Sequence, residues 1–166
     1  MKIPRSVAIC CTTFFLILLA LLGHATAQSK NTKDVCAESN PAQMCTAANT
    51  CGSASTPCIV DVKRTADAAS ATPSIPNAKG NSLFCVKVGT TVKWVTTDKG
   101  SGFVVDPGAS SPFDPSGTIM GGSDRSVSVV AKRTGCLKYS AGACKSGAIY
   151  GMCGNSDTEL IVTSAN

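Results

Sequence analysis

Cysteine is the residue in this chain with the most chemistry to offer. There are ten in 166 residues, against one histidine, His24. Thiols support disulfide formation, soft-metal ligation or nucleophilic attack, and the partners around them decide which. His24 lies within a leader-like segment. Lys2 and Arg5 precede 16 uncharged residues, Val7 to Leu22, and Ala25-Thr26-Ala27 stands before Gln28. A basic start, an apolar stretch and an A-x-A site form the pattern of a secretory signal peptide over residues 1–27. An apolar run of 16 is also short for a membrane span, which needs about 20 residues. Removing the leader leaves 139 residues, lowers the net charge from +5 to +3, and takes away Cys10, Cys11 and His24.

A chain without histidine has no base for a Ser-His-Asp or Cys-His arrangement and no imidazole for the usual zinc or blue-copper sites. The sequence contains no G-x-S-x-G elbow, phosphate loop, G-x-G-x-x-G turn or H-E-x-x-H helix. Paired carboxylates are the remaining catalytic route. The nearest candidates, Asp106 and Asp114, each precede proline in Asp-Pro-Gly and Asp-Pro-Ser-Gly, which are turn sequences. The expectation is a protein that is not an enzyme. Charges make up 15% of the chain and form no run of five or six of one sign, so nothing resembles a nucleic-acid-binding arm.

Eight cysteines remain: Cys36, Cys45, Cys51, Cys58, Cys85, Cys136, Cys144 and Cys153. An even number in an exported chain points to disulfides, with 105 full pairings open. The C-x-x-C pairs of a metal cluster are absent. Four of the eight fall in residues 36–58 among Ala, Ser, Thr, Asn and Gly. Residues 28–57 therefore read as a looped, Cys-rich extension held by bridges rather than by a core.

From Cys58 onward the chain reads as strands. The candidates are 58–63, 83–88, 92–97, 102–106, 127–130, 137–139 and 159–163, separated by Gly, Pro, Asp and Ser. This pattern predicts an all-β sandwich or barrel over 58–166. Its expected core is Ile59, Val60, Val62, Leu83, Phe84, Val86, Val88, Val92, Trp94, Phe103, Val105, Val127, Val129, Tyr139, Leu160 and Val162. Residues 65–80 read as a long connection, with a helical turn near Ala66 to Ala71. Met120, before Gly121-Gly122, reads as a turn residue, and Lys132-Arg133 as a small solvated basic spot.

Three motifs in order carry a resemblance. Val88-Gly-Thr-Thr-Val-Lys-Trp-Val95 resembles a strand pair of the cupredoxins, the blue-copper family of plastocyanin. Gly135-Cys-Leu-Lys-Tyr139 resembles a later strand of that family. Gly151-Met-Cys-Gly154, followed by Leu160-Ile-Val162, resembles its closing turn and last strand. The resemblance covers residues 58–163 and implies a Greek-key β-sandwich of seven or eight strands. It also implies a copper ion held by two histidines, a cysteine and usually a methionine. The matching positions are Gly102, Gly147, Cys144 and Met152, so both imidazoles are missing. Counting forward from Gly135 instead puts the ligand cysteine at Ala141 and the second histidine at Cys144, again without an imidazole. Copper is therefore not an expected cofactor. The alternative is an atypical copper-binding electron-transfer protein using Cys144 and Met152. If 137–143 is extended, Cys136 lies out of Cys144's reach, which leaves Cys144–Cys153 as the expected bridge in place of the metal. Phe103 and Phe113 are candidates for an apolar rim beside that position. The expected function is a secreted or periplasmic, disulfide-stabilised structural or binding module. Its partner, protein or small molecule, is not specified by any motif.

Overall fold

The structure, a computed structural model, describes residues 34–151 and 158–165. The leader of 1–27 lies outside the described residues, as do Met152 and Cys153. Residues 34–166 cluster as one compact unit. Among the described residues, no helix is long and apolar enough to cross a membrane.

Among the described residues, eleven strands build two mixed sheets. They are β1 (Cys58–Thr65), β2 (Ala68–Pro73), β3 (Phe84–Lys87), β4 (Thr91–Val95), β5 (Gly102–Asp106), β6 (Phe113–Asp114), β7 (Ile119–Gly122), β8 (Val127–Ala131), β9 (Gly135–Lys145), β10 (Ala148–Tyr150) and β11 (Thr158–Thr163). The first sheet runs β2-β1-β4-β8-β6. The second runs β3-β11-β9-β5-β7, with β10 added beside β9. From β2 to β9 each successive strand changes sheet. Two pairs, β1–β4 and β3–β11, are parallel, and the rest are antiparallel. The expected all-β, sandwich-like fold is what the chain forms, and all seven expected strands are present.

Strand alternation decides what is buried. In β1, Cys58, Val60 and Val62 face inward, so Ile59 between them points out and is 41% exposed. Its expected place in the core is corrected on that ground. Twelve of the sixteen expected core residues lie in the main cluster, around Trp94 and Phe84. Val88 and Val127 are half-buried against its margin, and Leu83 belongs to a second cluster described below. The Trp94 and Tyr139 rings meet edge to face at 5.3 Å in the middle, an arrangement aromatic quadrupoles favour.

Other expectations are also corrected. Residues 65–73 are not a helical connection. They turn at Ala66, with φ of 52°, into β2, which pairs with β1 from Thr65↔Ala68 to Val60↔Pro73. Ala69 and Ala71 enter the interior, where small residues suffice. Met120 is not in a turn but in β7, opposite Val104, with its side chain 65% exposed. Phe103 and Phe113 form no rim. Both are buried in the core. Asp106 acts as its turn sequence suggests, accepting a hydrogen bond from the Gly108 N–H at 2.9 Å. Arg133 of the basic spot donates to the Ser111 carbonyl at 2.6 Å.

Residues 34–57 form a strap outside both sheets, with two short 310 turns, Val35–Ala37 and Pro41–Met44. Cys36–Cys136 ties it to β9, and Cys45–Cys85 ties it to β3. Cys51–Cys58 closes its end inside the main core. The strap also covers the outer edge of β3. The Cys51 N–H donates to the Cys85 carbonyl, and the Cys85 N–H donates to the Asn49 carbonyl, both at 2.8 Å. An uncovered strand edge is a template for pairing with other chains. An edge of the first sheet, β2, is blunted by Asn81. Its side chain accepts from the Ala71 N–H at 2.9 Å, and its own N–H donates to the Ala71 carbonyl at 2.8 Å.

Candidate functional site

The positions singled out by the resemblance fall on β5, β9 and the β9–β10 turn. The long strand β9 explains why they meet. Its first half pairs with β11, and its second half pairs with β5 on one side and β10 on the other. This register sets Cys144 directly opposite Gly102 in β5 and Ile149 in β10, while Gly102 faces Gly122 in β7. The four residues make one cross-strand row. Phe103, Val105, Ala141 and Ala143 point into the core, so alternation turns this row to the outer face of the sandwich.

The row is poor in side chains. A Cβ added at Gly102 would lie 3.5 Å from the Cβ of Cys144 and 3.2 Å from the Gly121 carbonyl oxygen. Positions 102 and 144 are therefore neighbours, as two ligands of one centre would be, but only one carries a donor. Cys144 is half-buried and is a free thiol. Gly147 occupies the tip of the β9–β10 hairpin. Ser146 and Gly147 there have φ of 51° and 81°, between the paired Lys145 and Ala148. Two successive positive φ values are what a tight hairpin turn demands, and glycine meets that demand without strain. Gly147 is thus explained by the turn. Ala141, the other position considered for the ligand cysteine, is buried in the core.

The residues present do not fit a type 1 copper ion. Gly102, Gly147 and Ala141 offer no donor, and Cys144 offers one sulfur, whereas the trigonal plane of that centre requires imidazole. Among the described residues, no three His, Cys, Asp or Glu side chains form a group that could hold a metal ion. Cys144 is a free thiol, and its expected partner Cys153 lies outside the described residues, as does Met152. Of the eight cysteines considered, six form the three bridges of the strap.

The strap also carries the charged contacts that sequence reasoning did not single out. The Glu159 carboxylate, at the start of β11, accepts from the N–H groups of Val35 at 3.1 Å and Cys36 at 3.0 Å. Lys138 of β9 pairs with Asp34 at 2.5 Å. This hydrogen bond, more than any other cause, holds the Asp34 carboxyl below its ordinary value. Under the strap lies a second apolar cluster of Val35, Cys85 and Ile161, joined by Cys45, Leu83 and Cys136. No local pattern marks these residues. Asp34 and Lys138 are 104 positions apart, so only the fold brings them together. Beside the strap, a groove of about 700 Å³ is lined by Thr46, Thr50, Lys87 and Thr163, among others.

In comparisons with known proteins, no protein-family model matches this chain and no curated protein matches it.

Proposed function

We propose that this chain is an exported, cupredoxin-like module that has no type 1 copper site and acts by binding or by structural support rather than by catalysis. One observation carries the reading. The β5–β9 register sets position 102, where the resemblance calls for histidine, directly beside Cys144, where it calls for the ligand cysteine, and position 102 is glycine. The mixed two-sheet topology and the Trp94–Tyr139 contact, which joins two of the three motifs, support it further. The leader pattern and the three bridges support export to an oxidising compartment. The partner is a protein or small molecule, and no residue pattern defines its chemistry.

A second reading has its own support. Cys144 is a free, half-buried thiol, which an atypical copper protein using Cys144 and Met152 would need. Cu(I) binding measured against a competing chelator separates the two. The module reading expects no stoichiometric retention of copper, and the same result for Cys144→Ser as for the natural chain. One tightly held copper per chain, lost in both Cys144→Ser and Met152→Leu, would replace it with the second reading.

A further inference from the structure

We infer that the strap of residues 34–50 is a redox-released cover, freed stepwise by a dithiol reductant while the β-sandwich beneath stays folded. Three observations lead there. First, the three bridges differ in access. Cys36 and Cys136 are both half-buried. In the second bridge Cys45 is half-buried but Cys85 is only 1% exposed. In the third, Cys51 and Cys58 are 1% and 0% exposed. Thiol–disulfide exchange needs a thiolate to reach a sulfur, so access orders the bridges. The order is Cys36–Cys136, then Cys45–Cys85, and last Cys51–Cys58.

Second, the strap is separable. Its residues up to Thr50 contribute nothing to the main core, whose first member along the chain is Cys51. Val35 is the only buried residue of 34–50, and the ties of the strap besides the two bridges include the Glu159 and Lys138 contacts and the hydrogen bond from Cys85 to Asn49. A segment with so few buried contacts opens locally before the whole domain unfolds. The sealed Cys51–Cys58 bridge then serves as the hinge that keeps the freed strap attached.

Third, the strap has something to uncover. Its departure exposes Leu83 and Ile161 and frees the Cys85 N–H on the outer edge of β3. The protein then presents an apolar patch beside an open strand edge, a surface that the oxidised form lacks.

The chemistry balances as follows. One thiolate of the dithiol attacks Sγ of Cys36 or Cys136, forming a mixed disulfide and breaking the protein S–S bond. The leaving cysteine thiolate takes a proton. The second thiol of the reductant then displaces the other cysteine. The protein gains two thiols, and the dithiol becomes a disulfide. The same two-electron step repeats at Cys45–Cys85.

The test is titration of the folded protein with dithiothreitol after every thiol free at the outset has been capped by alkylation. Newly freed thiols are trapped and mapped by mass spectrometry, amide hydrogen exchange is followed, and Trp94 fluorescence reports the core. The expected result is stepwise reduction in the order given. Exchange at Val35 and Cys36 should rise by about tenfold or more with the first step, and at Cys85 with the second. Trp94 emission and the β4–β8 amides should not change. Reduction of all three bridges in one event together with loss of buried Trp94 emission would overturn the inference. So would reduction of Cys51–Cys58 first, or strap amides that stay slow with both outer bridges open. The experiment uses the natural chain, so it does not depend on cysteine variants folding.

Discussion

Replacing both Cys36 and Cys136 by serine gives a sharp quantitative test of how the strap contributes to stability. The bridge joins residues 100 positions apart. Closing a loop of that length lowers the entropy of the unfolded chain by an amount equivalent to about 4.7 kcal/mol. Cys45–Cys85 lies inside that loop and already short-circuits 40 positions of it, so the increment from Cys36–Cys136 falls to about 4 kcal/mol. Both cysteines are half-buried, so serine leaves no deep cavity, and the entropic effect dominates. Trp94 is the only tryptophan and is fully buried, which makes its fluorescence a clean reporter of global unfolding in urea. With a urea slope of about 1.5 kcal/mol per molar, the midpoint should drop by about 2–3 M. Cys36→Ser and Cys136→Ser singly should each fall within about 1 kcal/mol of the double variant, since each already opens the loop. A midpoint shift below about 0.5 M in the double variant would refute the reasoning, because it would mean that the bridge does not close this loop.

Other outcomes follow from particular contacts. Gly151→Ala should destabilise the fold by roughly 2–4 kcal/mol in the same assay. Its φ is 94°, and a Cβ there would lie 2.4 Å from the Ala69 backbone nitrogen and 3.1 Å from the Ala141 carbonyl oxygen. Trp94→Ala should cost about 3–5 kcal/mol, whereas Ile59→Thr, on the outward face of β1, should stay within about 0.5 kcal/mol of the natural chain. Asp34 has its carboxyl lowered by Lys138, so the pairing is present at neutral pH and is lost as the pH falls through that lowered value. Lys138→Met should therefore move the Asp34 titration, followed by NMR, back up toward 3.8. An unchanged titration would show that the pair does not form in solution.

Which parts of this fold the sequence reveals has a physical pattern. Strands rich in Val, Ile, Phe and Trp, such as Val92-Lys-Trp-Val95 and Leu160-Ile-Val162, show themselves because β-branched and aromatic residues alternate with polar ones. Strand β2, Ala-Ala-Ser-Ala-Thr-Pro, has little β propensity of its own. It is a strand because β1 offers an edge to pair with and Ala69 and Ala71 fill the interior beside it. The same holds for the second half of β9, Ser140 to Lys145, where Gly and Ala pair with β5. Reading Met120-Gly-Gly as a turn failed for a related reason, because a strand edge can consist of residues that also suit turns. The disulfide map was closed to sequence reasoning, since Cys36 and Cys136 meet only once β9 and β11 have positioned Glu159 and Lys138 beneath the strap. The candidate site was legible in one respect. The motif spacing named Gly102 and Cys144 as members of one site, and the strand register makes them neighbours. That Gly147 belongs to a hairpin turn was hidden, because the β9–β10 pairing has no apolar pattern to announce it.

Disulfide mapping by mass spectrometry of the unreduced protein, digested after its free thiols are capped, tests the central claim most directly: a histidine-free β-sandwich whose edge is covered by a bridged strap. The account predicts cross-linked peptides joining Cys36 to Cys136, Cys45 to Cys85 and Cys51 to Cys58. Any other pairing among these six, above all a set confined to residues 36–58, would contradict it, because the strap would then be a separate loop and the edge of β3 would stand open.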